Sequence, residues 1–90
     1  MEKEKSIYAG EWKEMLDDNN VIIIVDNDSN LVLNHLKKKK EYVAFDDGRQ
    51  LCILHKKDTI YAKIDADGQL IIENKRRKKL NGVYKPSLKQ

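Results

Sequence analysis

Asp26-Asn27-Asp28-Ser29-Asn30-Leu31, Asp46-Asp47-Gly48-Arg49-Gln50-Leu51 and Asp65-Ala66-Asp67-Gly68-Gln69-Leu70 align with one another without gaps. Each segment opens on Asp, carries Asx or Gly at its centre and closes on a Leu that starts an apolar run. They begin at positions 26, 46 and 65, so the period is 20 and then 19 residues. Asx and Gly at fixed offsets between apolar runs are turn chemistry: their side chains or missing Cβ let the backbone reverse locally. Three such turns predict three hairpins.

Apolar or β-favouring runs flank these turns at 21–26, 31–36, 41–46, 50–55, 59–65 and 69–74. Their starts lie roughly 10 residues apart, the spacing of a small antiparallel sheet or barrel. No helical pattern lies between them, which excludes parallel βαβ units. Asp47-Gly48 carries the signal of a two-residue type I′ turn, and Ala66-Asp67-Gly68 that of a three-residue loop with Gly68 left-handed. In the latter register Ile64 faces Leu70 and Ala62 faces Ile72. Tyr61, Lys63 and Asp65 then form the wet side of that hairpin. Val83-Tyr84, after an Asn81-Gly82 turn, reads as a short edge strand.

Upstream of the first hairpin the period changes. Tyr8, Trp12, Met15 and Leu16 fall at i, i+4, i+7 and i+8, one face of a helix. Ser6 is a candidate N-cap, and Asp17-Asp18 would sit badly at the negative end of a helix dipole. The pattern predicts a helix over 6–16 and a turn over 17–20. The expected fold is therefore α+β, mostly β: a short N-terminal helix packed on an antiparallel β-meander of five to seven strands, as a small barrel or curled sheet. Residues 1–85 form one domain on this reading, and 86–90 a flexible tail.

The single cysteine excludes an internal disulfide and any multi-cysteine zinc site. Cys52 sits in the run Leu51-Cys52-Ile53-Leu54, where a thiol acts as a small hydrophobe. The N-terminus has no apolar signal segment. The longest apolar run is five residues, against the ~20 of a membrane-spanning helix. A cytoplasmic location without membrane contact is the expectation.

Enzyme chemistry is not indicated, and no catalytic residue, cofactor, metal or small-molecule substrate is assigned. Asp26–Asn30 mimics the start of a calcium loop, but Leu31 stands where glycine is needed and Lys37 where the bidentate Glu is needed. Cys52 and His55 are three apart on a strand and point to opposite faces. His35 would face Ile22, and both histidines read as surface or rim residues. Asp17-Asp18 and Asp46-Asp47 have backbone reasons to be acidic. No phosphate-binding glycine loop or nucleophile elbow is present.

Charge carries the functional signal. Residues 1–36 hold three lysines against eight acidic residues, and residues 37–90 hold fifteen basic residues against seven acidic ones. The densest clusters are Lys37, Lys38, Lys39 and Lys40, then Lys75, Arg76, Arg77, Lys78 and Lys79, with Lys56 and Lys57 between them. In a meander the connections bearing these clusters fall at one end of the sheet and the Asp turns at the other. The expected function is a small non-enzymatic binding module whose basic pole contacts nucleic acid or another polyanion through phosphates. The alternative is a protein-binding regulator or inhibitor of the kind found among phage and mobile-element accessory proteins, with a protein partner or as a homo-oligomer. Trp12, Tyr61 and Tyr84 are its candidate interface residues, Trp12 only if the core does not take it.

Overall fold

The computed structural model describes residues 6–75 and 78–87. Eight antiparallel strands follow one another around a closed barrel: β1 (Gly10–Glu14), β2 (Val21–Asp26), β3 (Leu31–His35), β4 (Lys40–Asp46), β5 (Leu51–His55), β6 (Asp58–Ile64), β7 (Leu70–Ile72) and β8 (Gly82–Pro86). β8 returns to pair with β1, setting Trp12 opposite Pro86 and Glu14 opposite Tyr84. The described residues contain no helix. The expected α+β class is thus replaced by an all-β barrel, with eight strands rather than five to seven.

The correction falls on residues 6–16, where Ser6–Ala9 form a turn and Gly10–Glu14 form β1. Gly10 has φ +138°, a conformation that a helix does not use. Tyr8 and Trp12 are buried as their spacing suggested, but Met15 and Leu16 are exposed, Leu16 at 94%. The i, i+4 relation survives in another form: the Trp12 indole N–H donates to the Tyr8 carbonyl at 2.9 Å. An isolated helix of eleven residues is marginal. As a strand, the same segment covers the open edges of both β2 and β8, which would otherwise present unpaired backbone groups.

The three Asp turns form where the alignment places them, and they share one mechanism. The first Asp of each repeat accepts the N–H two residues on: Asp26 from Asp28 (3.1 Å), Asp46 from Gly48 (2.8 Å) and Asp65 from Asp67 (3.0 Å). Each turn contains one left-handed residue, Asp28, Gly48 or Gly68. The closing leucines Leu31, Leu51 and Leu70 are all buried in the barrel. Ile64 faces Leu70 and Ala62 faces Ile72, as expected.

Asp47-Gly48 does not form the two-residue turn. The loop spans 47–50, because Asp47 also accepts the N–H groups of Arg49 and Gln50 and stabilises a wider reversal. Val83-Tyr84 is not an edge either, since β8 pairs with both β7 and β1. Pro86 belongs to β8, and the Ser87 N–H donates to the Glu11 carbonyl at 2.8 Å. Residues 88–90 of the expected tail lie outside the described residues.

Alternation along every strand fills the barrel with apolar side chains, an eight-stranded interior being just wide enough for that. Each end is stoppered by a residue from outside the strands. Tyr8 closes the end with the Asp turns, and Leu80, from the β7–β8 loop, closes the other. Among the described residues no helix is long and apolar enough to cross a membrane. The strands, three to seven residues long, are also shorter than the ~9–11 residues of a membrane-spanning strand.

Candidate polyanion interface at the lysine end

Connections of a closed antiparallel meander alternate between its two ends. The β2–β3, β4–β5 and β6–β7 turns, which carry the Asp repeats, lie at one end with the N-terminal turn. The β1–β2, β3–β4, β5–β6 and β7–β8 connections lie at the other. The second group brings together Lys37, Lys38 and Lys39 with Lys40 at the start of β4, Lys56 and Lys57, and Lys75, Lys78 and Lys79, all exposed. Arg76 and Arg77 lie outside the described residues.

The strand that replaces the expected helix adds one more loop here, and it is acidic. Asp17 accepts from Lys37 Nζ at 2.7 Å, and the Lys37 ammonium together with the Asn19 N–H holds its carboxyl below the usual carboxylate range. Both partners are exposed, so the pair tethers the two loops only loosely. Local backbone geometry fixes the lysine loops more firmly. Lys39 and Lys56 adopt left-handed φ of 55°, and the Lys39 N–H donates to the Leu36 carbonyl at 3.2 Å.

Beneath these loops lies a polar cluster in the barrel mouth. His35 Nε2 meets Asn20 Oδ1 at 2.7 Å, and Asn20 Nδ2 donates to Glu14 Oε1 at 2.7 Å and weakly to the Tyr84 hydroxyl at 3.4 Å. The Tyr84 hydroxyl donates onward to the Leu80 carbonyl at 2.8 Å. Because the Asn20 amide nitrogen serves Glu14, its oxygen is an acceptor and His35 must carry its proton on Nε2. His35 Nδ1 is then a bare lone pair, buried and without a partner among the described residues. Burial, with Lys38 and Lys37 nearby, lowers the His35 pKa. Burial and the Glu14 carboxylate push Tyr84 up to about 12. The cluster therefore rests as neutral imidazole and neutral phenol.

Its members come from β1, the β1–β2 loop, β3, β8 and the β7–β8 loop. It thereby anchors two lysine segments at their roots, since His35 precedes Leu36–Lys39 and Leu80 follows Lys78-Lys79. The β7–β8 loop is cross-braced as well: Asn74 N–H donates to Asn81 Oδ1 (3.0 Å), Asn81 Nδ2 to the Asn74 carbonyl (2.9 Å), and the Asn74 amide bonds both backbone groups of Tyr61.

Several expected roles are overturned here. His35 and His55 are not rim residues: both are buried and point inward, His55 against the Tyr42 ring at a centroid distance of 5.7 Å. The Ile22–His35 pairing holds. Because Ile22 is a core residue, that same pairing required an inward His35. Trp12 and Tyr84 are core residues and offer no interface, since the closing strands β1 and β8 turn them into the barrel. Tyr61 stays on the outer surface. The polar cluster has no local sequence signature, because its residues meet only once the barrel closes.

Among the described residues no group of three or more His, Cys, Asp or Glu side chains could hold a metal ion. Comparison of the chain with known protein families, with characterised proteins and with solved structures finds no match.

Proposed function

We propose that this chain is a binding module rather than an enzyme, and that its lysine end contacts nucleic acid or another polyanion mainly through phosphates. The observation that carries this reading is the convergence of exposed lysines from the β3–β4, β5–β6 and β7–β8 connections on one end of the barrel, with the Asp turns at the other. Separated charge of this kind produces a directed field that steers a polyanion to one pole. Lysine contacts are point charges without base-edge geometry, so the binding is of low sequence specificity. The buried titratable groups support a structural rather than a catalytic role, because His35 and Tyr84 spend their hydrogen bonds holding the loops.

A salt titration tests the reading. Affinity for a generic DNA duplex and for single strands is measured between about 50 and 300 mM salt. Engagement of ~4–6 phosphates gives a log–log slope of about −4 to −5 on the duplex. Absence of binding at the lowest salt, or a slope near zero, would overturn it.

A further inference from the structure

The outer wall of the barrel is not uniform. On β2, β3, β4 and β5 the outward-alternating positions are Val21, Ile23, Val25, Val32, Val43, Phe45, Cys52 and Leu54, interrupted only by Asn34 and Glu41, and of these Cys52 is buried at 4%. Val25, Val43, Phe45 and Leu54, with the neighbouring Tyr61 of β6, are 42–48% exposed. On the other wall β1, β6, β7 and β8 turn out Glu11, Lys13, Lys63 and Lys85 beside Ile71 and Val83.

The apolar side chains form connected rows. Val25 pairs with Val32 and Val32 with Val43, while Phe45 pairs with Cys52 and Cys52 with Tyr61. Extending the β4–β5 register by one pair sets Leu54 beside Val43. Isolated outward valines follow from β-propensity. A row that crosses four adjacent strands beside another that crosses three, both facing away from an already filled interior, does not. Uninterrupted runs such as Val21–Val25 are the mark of a strand covered on both faces. On the outer face of this strand Val25 is 48% exposed, while Val21 and Ile23 are half-buried.

We infer that this wall docks on a second copy of the chain, with the two barrels side by side and antiparallel. Charge selects the occupant and the orientation. A two-fold axis lying in the wall can run along the barrel or across it. Along the barrel, it would set lysine end beside lysine end and Asp turn beside Asp turn. Across the barrel, it sets each lysine end beside the partner's Asp turns, so the molecule's own polarity complements itself. The two lysine ends then lie at opposite extremes of the dimer.

The apolar wall is small. Four strands at ~4.8 Å spacing and about five residues at ~3.3 Å give a footprint of roughly 250–300 Å². Stable interfaces bury ~800 Å² per partner, so the charged loops must form the rim and the dimer belongs to the weak class.

Sedimentation velocity of the full chain across about 1 μM to 1 mM tests the inference. A reversible monomer–dimer equilibrium with a midpoint near ~10–100 μM is expected, weakening several-fold from 50 to 500 mM salt as the complementary ends are screened. Val43→Glu, which brings like charges together in the patch, should weaken dimerisation at least 30-fold. Val43→Thr keeps the β-branched shape and should weaken it measurably with unchanged circular dichroism. Zero-length carbodiimide cross-linking supplies the orientation: Asp46 or Asp47 should join Lys37–Lys39 or Lys56-Lys57 of another copy. Opposite ends of one barrel are ~15–20 Å apart and cannot be joined this way. A monomer at all concentrations, a dimer that strengthens with salt, or a dimer insensitive to both variants would overturn the inference.

Discussion

The two ends of the barrel are built by different physics. At the Asp end each reversal has a local mechanism, in which a carboxylate accepts an N–H two residues on and one left-handed residue completes the turn. Of the three opening carboxylates, Asp26 also accepts from a distant residue, the Ser6 N–H at 3.1 Å. At the lysine end the tight β3–β4 and β5–β6 turns are local as well, but beneath them lies a cluster of hydrogen bonds between residues far apart in sequence, with Asn20 and Tyr84 separated by 64 positions and His35 and Asn20 by 15. Damage to a local turn is confined to that turn. Damage to the long-range cluster removes the common support of several loops, so the lysine end should be the cooperative and fragile one.

Asn20→Ala should be the most damaging substitution of this comparison. It strands the buried His35 N–H and removes a donor to Glu14, for an expected loss of about 3 kcal/mol in urea unfolding at pH 7.5. A loss as small as that of a turn variant would break the comparison.

The pH dependence is the next largest effect. The folded His35 pKa is lowered from its ordinary value of 6.5, so the unfolded chain takes up the proton first as pH falls. His35 therefore contributes its full stability above about pH 6.5 and loses it as pH falls through the window beneath, by at most about 1.4 kcal/mol per pH unit. Urea midpoints at pH 7.5, 6.0 and 5.0 should show this decline, and His35→Gln should flatten it.

At the other end, Asp65→Ala removes a carboxylate that receives Asp67 and Gln69 N–H groups at 3.0 and 2.9 Å. About 1 kcal/mol is expected, with amide-exchange changes confined to 64–70. The smallest effect should come from Lys37→Ala, where thermal unfolding should not move measurably because the Asp17 pair is solvent-exposed.

This contrast also decides what the sequence discloses. The Asp turns are legible because each mechanism fits inside a six-residue window, and Ile64–Leu70 and Ala62–Ile72 follow directly from the loop length. The placement of the lysine loops at one end follows from strand parity, which counting supplies. β1 is illegible because Tyr8 and Trp12 lie four apart for a reason other than a helix turn: one plugs the barrel end and the other lines its wall. Only closure between β2 and β8 makes residues 10–14 a strand. The His35–Asn20–Glu14–Tyr84 cluster is hidden for the same reason. The apolar outer wall was visible as unbroken runs, but their two-sidedness acquires meaning only once the barrel interior is seen to be full.

Charge reversal in the lysine loops against charge reversal elsewhere tests the proposed function most directly. Lys38, Lys39 and Lys57 changed to Glu alter the lysine loops, while Arg49, Lys63 and Lys85 changed to Glu alter net charge equally away from those loops. With duplex DNA at low salt, the first variant should lose at least 100-fold in affinity and its salt slope should shrink by about 3 units, the second losing only a few-fold. Equal losses from the two variants, or no loss from the first, would contradict a polyanion interface at the lysine end.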